Sequence, residues 1–447
     1  MLGKSYGFSS GSFSFANLVL TNATNHTRNR ECQFELKKKR TMKKLLVLAV
    51  IALSLVNCET KKSTETTIEK DTKIILGHKE VIHSDILNED REVWIHLPES
   101  YSDNTFKKTK YPVLYLLDGP GHFYSVSGMV KKLSSGLQIV PEMIVVAISN
   151  TNRSRDLTPT HVDLDFFSGD RIPHIEKTYP ATTYRTFVGH SFGGLSVVNA
   201  LINRQHLFNN YVAIDPSLWW DNQAFLKVAD SILSVNKFDG KSLYVGVANT
   251  MDEGMKIKDV GNDTTKSTAH IRSILQFVNT LDTQKENGLN FGWKYYENDS
   301  HGSVPLITEY DAFRFLFPWY RLKGLNQFFD PNSTSTANDL IHLIDAHYKN
   351  VSDHFGFEVL PPESFINSMG YRFMNNPATQ DKANALLSLN ILNYPTSSNV
   401  YDTMGDYYLA NKDSIKALEL FQKALEVGKN EFSQEKIDML KKNLKIE

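Results

Sequence analysis

Between Ile74 and Leu322 short apolar runs alternate with longer amphipathic stretches, the pattern of a mostly parallel sheet covered by helices on both faces. The apolar runs predict strands at 91–97, 113–117, 143–148, 186–188, 211–214, 242–247 and 291–296. Several are apolar at every position, as strands buried on both sides must be. Three- and four-residue spacing of apolar positions predicts helices over 126–137, 166–178, 192–203, 222–233 and 268–281. After Leu322 the pattern changes. Residues 323–338 are rich in Asn, Ser, Thr and Asp and read as a linker, and 339–447 is strongly helical. Within that tail, 398–431 fits a 34-residue helix-turn-helix repeat at Tyr401, Met404, Gly405, Tyr408, Ala417, Phe421 and Ala424. An upstream copy at about 363–396 has Ile366, Met369, Gly370, Phe373, Ala383, Leu387 and Pro395. Both are tetratricopeptide-like. Two such units seldom bury enough surface alone, so they are expected to pack on the sheet domain or on the helix near 339–348.

Composition narrows the class. The 447 residues carry 49 basic and 50 acidic side chains, a balance that gives no field for nucleic acid. The only cysteines are Cys32 and Cys58, so no disulfide framework can form in the predicted sheet domain. From Met42 two lysines precede the apolar run Leu45–Val56 and then Asn57-Cys58. That run is too short to span a bilayer, which needs roughly 20 residues, and it reads as the core of a signal peptide over 42–57. The cysteine after it resembles a bacterial lipoprotein signal, with Cys58 acylated and the protein exported and held at a membrane. Asn57 departs from the small residue usual there. Residues 1–41 precede a complete signal and read as an early-called start or an unstructured extension, and 58–72 as a flexible tether. The sheet domain is then 73–322.

The chemistry centres on Gly189-His190-Ser191-Phe192-Gly193, which lies between a short apolar strand and a helix. In that context G-x-S-x-G is a nucleophile elbow, whose glycines leave room for a tight turn that lifts the serine above the sheet. A serine hydroxyl needs a base, and in this arrangement the order is serine, acid, histidine. Of the histidines beyond Ser191, His301 sits on a polar loop directly after a late predicted strand, and it is the expected base. His190 is expected to point away. The acid should leave the end of an earlier strand. Asp252 is favoured, with Glu253 the alternative and Asp299 competing; a Ser191–His301 dyad also stays open.

The stretches YPVLYLLDG (111–119), RSRDLTPT (153–160), GHSFGG (189–194), DPSLWW (215–220) and SHGSVP (300–305) together resemble the putative-esterase family of α/β-hydrolases, which includes enterochelin esterase-like enzymes, S-formylglutathione hydrolases and mycolyltransferases. The resemblance implies an α/β-hydrolase fold and carboxylic-ester hydrolysis with no metal or organic cofactor. It also implies oxyanion donors at the Phe192 amide and on the loop after Asp118-Gly119. Pro120 has no N–H, so the second donor is expected to shift to Gly121. Trp219 and Trp220, after the 211–214 strand, are candidates to face a ring or sugar. Arg155 is a candidate for a substrate carboxylate, though Arg153, Arg155 and Asp156 could equally pin their loop by internal pairing. The expected substrates are small-molecule or glycan esters of siderophore, acylated-sugar or feruloyl type. Two other outcomes stay open: acyl transfer to a second alcohol, and an inactive scaffold whose helical repeats bind a protein partner.

Overall fold

The computed structural model describes residues 73–445, apart from 107–108, 136–137, 160–166 and 331. The apolar run 45–56, Cys58 and the segment 58–72 lie outside the described residues. No helix among those described is long and apolar enough to cross a membrane.

One eight-stranded sheet organises the first part of the chain. Its strands are β1 (His78–Ser84), β2 (Glu89–His96), β3 (Tyr111–Leu116), β4 (Ile144–Ile148), β5 (Ala181–His190), β6 (Asn210–Ile214), β7 (Ser242–Ala248) and β8 (Asn290–Tyr296), in spatial order β1-β2-β4-β3-β5-β6-β7-β8. β1, β2 and β4 pair antiparallel, and every other pairing is parallel. Covering helices are α1 (Gly119–Ser135), α2 (Ile172–Thr178), α3 (Phe192–Asn203), α4 (Trp220–Val235), α5 (Ala269–Thr283) and α6 (Val304–Leu316). This is the α/β-hydrolase fold expected from the sequence. All seven predicted strands are present, and β5 is longer than its apolar kernel suggests. β1 escapes prediction because HKEVIHS is polar at most positions; as an edge strand it faces solvent with much of its length.

Strand alternation sorts side chains into two cores. Val113, Tyr115 and Leu117 of the β3 region join Phe187 and Phe208 on one face, where the last two rings stack at 4.4 Å. Leu114 and Leu116 join Val126, Val145, Phe313 and Phe317 on the other.

The tail is helical: α7 (Ala337–Phe355), α8 (Glu363–Met374), α9 (Gln380–Asn393), α10 (Ser398–Ala410), α11 (Ser414–Val427) and α12 (Glu431–Leu444). The crossing of α10 and α11 needs the glycine read from the sequence, since a Cβ on Gly405 would lie 2.4 Å from the Phe421 ring. The segment read as a linker carries a 3-10 turn at Leu325–Phe329, with Phe328 buried and Phe329 stacked on Phe373 at 4.4 Å. α7 joins the two parts. Leu340 and Ile344 in its first half pack with Ile366, Phe373 and Leu387, whereas Val351 and Phe355 in its second half pack with Tyr184 and Phe317.

Candidate active site

Ser191 sits between β5 and α3 at φ 61°, ψ −115°, a left-handed conformation that costs energy for any residue with a side chain. The surrounding backbone holds it there. Its N–H donates to the Ile214 carbonyl at 2.9 Å, and its carbonyl accepts from Leu195 and Ser217, both at 3.0 Å. The two motif glycines touch across the turn: a Cβ on Gly189 would lie 2.4 Å from the Gly193 carbonyl. The Ser191 hydroxyl is half-buried and lies 3.2 Å from Ser217 Oγ.

His301 follows β8, as expected. Its ring packs 4.4 Å, centroid to centroid, from His190, the residue before the serine. Its Nδ1 donates to Asp215 Oδ2 at 2.6 Å, which leaves Nε2 as the acceptor nitrogen. Asp215 is fully buried just after β6, at φ 42°. Its amide donates to the Gly246 carbonyl at 2.8 Å, and its Oδ1 accepts from the Ala248 amide at 2.9 Å, so β7 holds both ends of the residue. The imidazole hydrogen bonds and the Ala248 amide pull the Asp215 carboxyl far below the usual carboxylate range despite burial that works the other way, so it is ionised at neutral pH.

Several expectations need correcting. The acid beside His301 is Asp215, in the quoted DPSLWW stretch, and not Asp252. Asp252 and Glu253 are exposed in the loop after β7, and neither bonds His301; the Asp252 carbonyl instead closes a turn by accepting from the Met255 amide at 3.1 Å. His190 does not point away. Its ring lies against His301 on one side and 5.9 Å from His122 on the other. Burial first, then these two histidines, push it down to about 4, so it is neutral at physiological pH. Gly121 is not a free oxyanion donor, because its N–H is taken by the Asp118 carbonyl at 3.0 Å. Phe192, by contrast, is the first residue of α3, where amides have no intrahelical acceptor.

Arg155 is also committed elsewhere. Its guanidinium donates to Asp156 Oδ1 and to Glu89 Oε1, each at 2.8 Å, and Asp156 is gripped from the other side by buried Arg91 at 2.5 and 2.9 Å. The internal-pairing alternative is the one observed. These hydrogen bonds outweigh burial and bring the Asp156 carboxyl from near 3.8 down to about 2. A depressed carboxyl contributes stability above its unfolded-state value and loses it as pH falls through the folded one. Arg91→Met, which removes the bidentate partner of the buried carboxylate and leaves it to Arg155 and the Thr151 and Asn152 amides, is therefore expected to cost about 1.5–3 kcal/mol near neutrality. The deficit should shrink as the pH is lowered from 4 towards 2, which thermal melts across that range would reveal; an equal deficit at every pH would contradict this account.

Trp219 is 40% exposed at the start of α4, and Trp220 meets Phe192 edge-on at 4.9 Å. Arg153 lies over the Phe192 ring at 5.4 Å and grips Asp118 through two bonds of 2.8 Å. The edge of the sheet around Ser191 thus carries an aromatic floor, with the Arg153–Asp118 ion pair beside it. The Asp215, His270 and His301 ligand atoms lie within 4.8 Å of one another, a spacing that hydrogen bonding of both imidazoles to one carboxylate oxygen accounts for.

Residues 84–272 match the family model described as putative esterase. A siderophore triacetylfusarinine C esterase of Aspergillus fumigatus is 25% identical over 167 residues, which cover 32% of this chain and 57% of the relative. The chain thus spans little more than half the length of that curated relative. Among solved structures, an IroE-like serine hydrolase from Shewanella oneidensis superposes with a TM-score of 0.58 at 29% identity, covering 70% of this chain and 98% of that one. An uncharacterised protein from Capnocytophaga ochracea gives a TM-score of 0.50 at 18% identity over 82% of this chain and 99% of its own, a likeness of fold.

Proposed function

We propose that this chain, whose residues 84–272 belong to the putative esterase family, is a serine-dependent carboxylic ester hydrolase that works through an acyl-enzyme. The observation that carries the reading is the strained Ser191 at the β5–α3 turn, together with a histidine that packs on the adjacent His190 and whose Nδ1 is held by a buried, ionised carboxylate. In the cycle, Ser191 Oγ attacks the ester carbonyl while His301 Nε2 takes its proton. The tetrahedral oxyanion is held by the Phe192 amide and the positive end of α3. Collapse breaks the carbon–oxygen bond to the alcohol, which leaves with the proton from His301. Water then attacks the acyl-enzyme, again giving its proton to His301, and the carboxylic acid departs as Ser191 is restored. Asp215 keeps the imidazole in the Nδ1–H tautomer and stabilises its cation.

For substrate class we propose esters of siderophore type. The support is the similarity to a siderophore esterase and the aromatic rings of Phe192, Trp219 and Trp220 beside the serine, suited to flat aryl acyl groups. The test is a comparison of kcat/KM on the purified protein across catecholate and hydroxamate siderophore esters, acetylated sugars and feruloyl esters. A preference of at least about tenfold for a siderophore ester, about 1.4 kcal/mol, is expected; a comparable preference for the sugar or feruloyl ester would overturn the substrate assignment.

A further inference from the structure

Two imidazoles close on Asp215, whereas the proposed cycle uses one. His270, the second residue of α5, places its Nε2 2.8 Å from the same Oδ2 that His301 Nδ1 reaches at 2.6 Å. The two rings stand nearly perpendicular, at 88° with centroids 5.1 Å apart, so each directs an N–H at the shared oxygen without displacing the other. The nitrogens used are opposite. His301 bonds through Nδ1 and leaves Nε2 clear of the carboxylate, while His270 bonds through Nε2, so the two residues cannot exchange roles without turning a ring.

We propose that His270 is a positioning residue: it shares the Asp215 carboxylate with His301 and so limits how strongly that carboxylate favours the protonated form of the catalytic imidazole. The inference rests on the serine-esterase reading of the site. An N–H donor on Oδ2 draws off part of the negative charge that would otherwise act on His301 alone. Without that donor, Asp215 holds a proton on His301 more firmly, and less of the enzyme has the neutral base the cycle needs on the acid side.

The other groups facing the pair are few. The Ala248 amide from β7 occupies Asp215 Oδ1. On the far side of His301 lie His190, then His122 and the buried Glu309, whose carboxyl burial pushes up. On α5 itself the Arg272 guanidinium is turned back to the Asp263 and Thr265 carbonyls and the Thr268 hydroxyl. Among the described residues no charged side chain except Asp215 pairs with either imidazole.

The test compares pH profiles of kcat/KM on an aryl ester for the full chain, His270→Leu and His270→Gln. Gln places an amide N–H close to the position of His270 Nε2. The Leu variant should move the acid limb up by about half a pH unit or more, an about threefold fall in rate on that side. Gln should restore most of it. A Leu profile superposed on the parent, in an enzyme that still labels at Ser191 with a fluorophosphonate, refutes the role of His270; failure of the parent itself to label refutes the esterase reading instead. Should the Leu variant not fold, nitrogen-15 spectra of the histidines in the unmutated protein decide. Opposite neutral tautomers, Nε2–H in His270 and Nδ1–H in His301, support the inference, and an Nδ1–H tautomer in His270 overturns it.

Discussion

Ser191→Ala is expected to lower turnover of a simple aryl ester by at least about four orders of magnitude, as loss of a nucleophile does in serine hydrolases. It should do so without unfolding the protein. Alanine bears the same Cβ in the same left-handed conformation at φ 61°, so the strain of the turn is unchanged, and the backbone bonds to Ile214, Leu195 and Ser217 do not involve the hydroxyl. The side-chain contact given up is the one at 3.2 Å to Ser217 Oγ. A stopped assay with an unshifted thermal melt is the expected pair of results. If the Ser191→Ala enzyme keeps more than about a tenth of the rate, far above what loss of a nucleophile permits, Ser217 or an outside hydroxide is doing the chemistry and the mechanism fails.

Asp215→Asn is expected to lower kcat by about 10⁴-fold, because an amide facing His301 Nδ1 favours the wrong tautomer while leaving the geometry nearly intact. Stability should also fall near neutrality. The depressed Asp215 carboxyl makes its contribution above the ordinary carboxylate range and loses it only as pH drops through that range and below, so the melting deficit of the Asp215→Asn variant should narrow in acid. Asp252→Asn is the control, expected to stay within about twofold in rate, as for an exposed side chain outside the site. Equal losses for the two variants, or a larger loss for Asp252→Asn, would show that Asp215 does not serve the base.

The serine and the histidine are legible because their signals are short-range: a glycine-flanked serine between an apolar strand and a helix, and a histidine on a polar loop after the last strand. The acid is not. Chain order asks only for an acid between the serine and the histidine, which the loop after β7 satisfies as well as the end of β6, and the φ of 42° that aims the Asp215 carboxylate inward has no marker in DPSLWW except the aspartate itself. His270 reads in the sequence as the start of a helix, which it is; that the start of α5 lies against the end of β6 is a property of the assembled sheet. α6 escapes prediction although VPLITEYDAFRFL carries a proline in its first turn and apolar positions at helical spacing. Arg155 shows the limit of composition. A cation near a catalytic loop reads the same whether it awaits a ligand or, as here, is already spent on Glu89 and Asp156.

One helix decides what counts as the enzyme. α7 begins among the tail's side chains and finishes with Phe355 edge-on to Tyr184 at 4.8 Å and His354 stacked on Trp319 at 4.3 Å. A protein cut where the last strand and its helix end would bare the greasy flank beneath β5, the strand that leads into Ser191. The sheet half therefore leans on the tail as on a retaining wall.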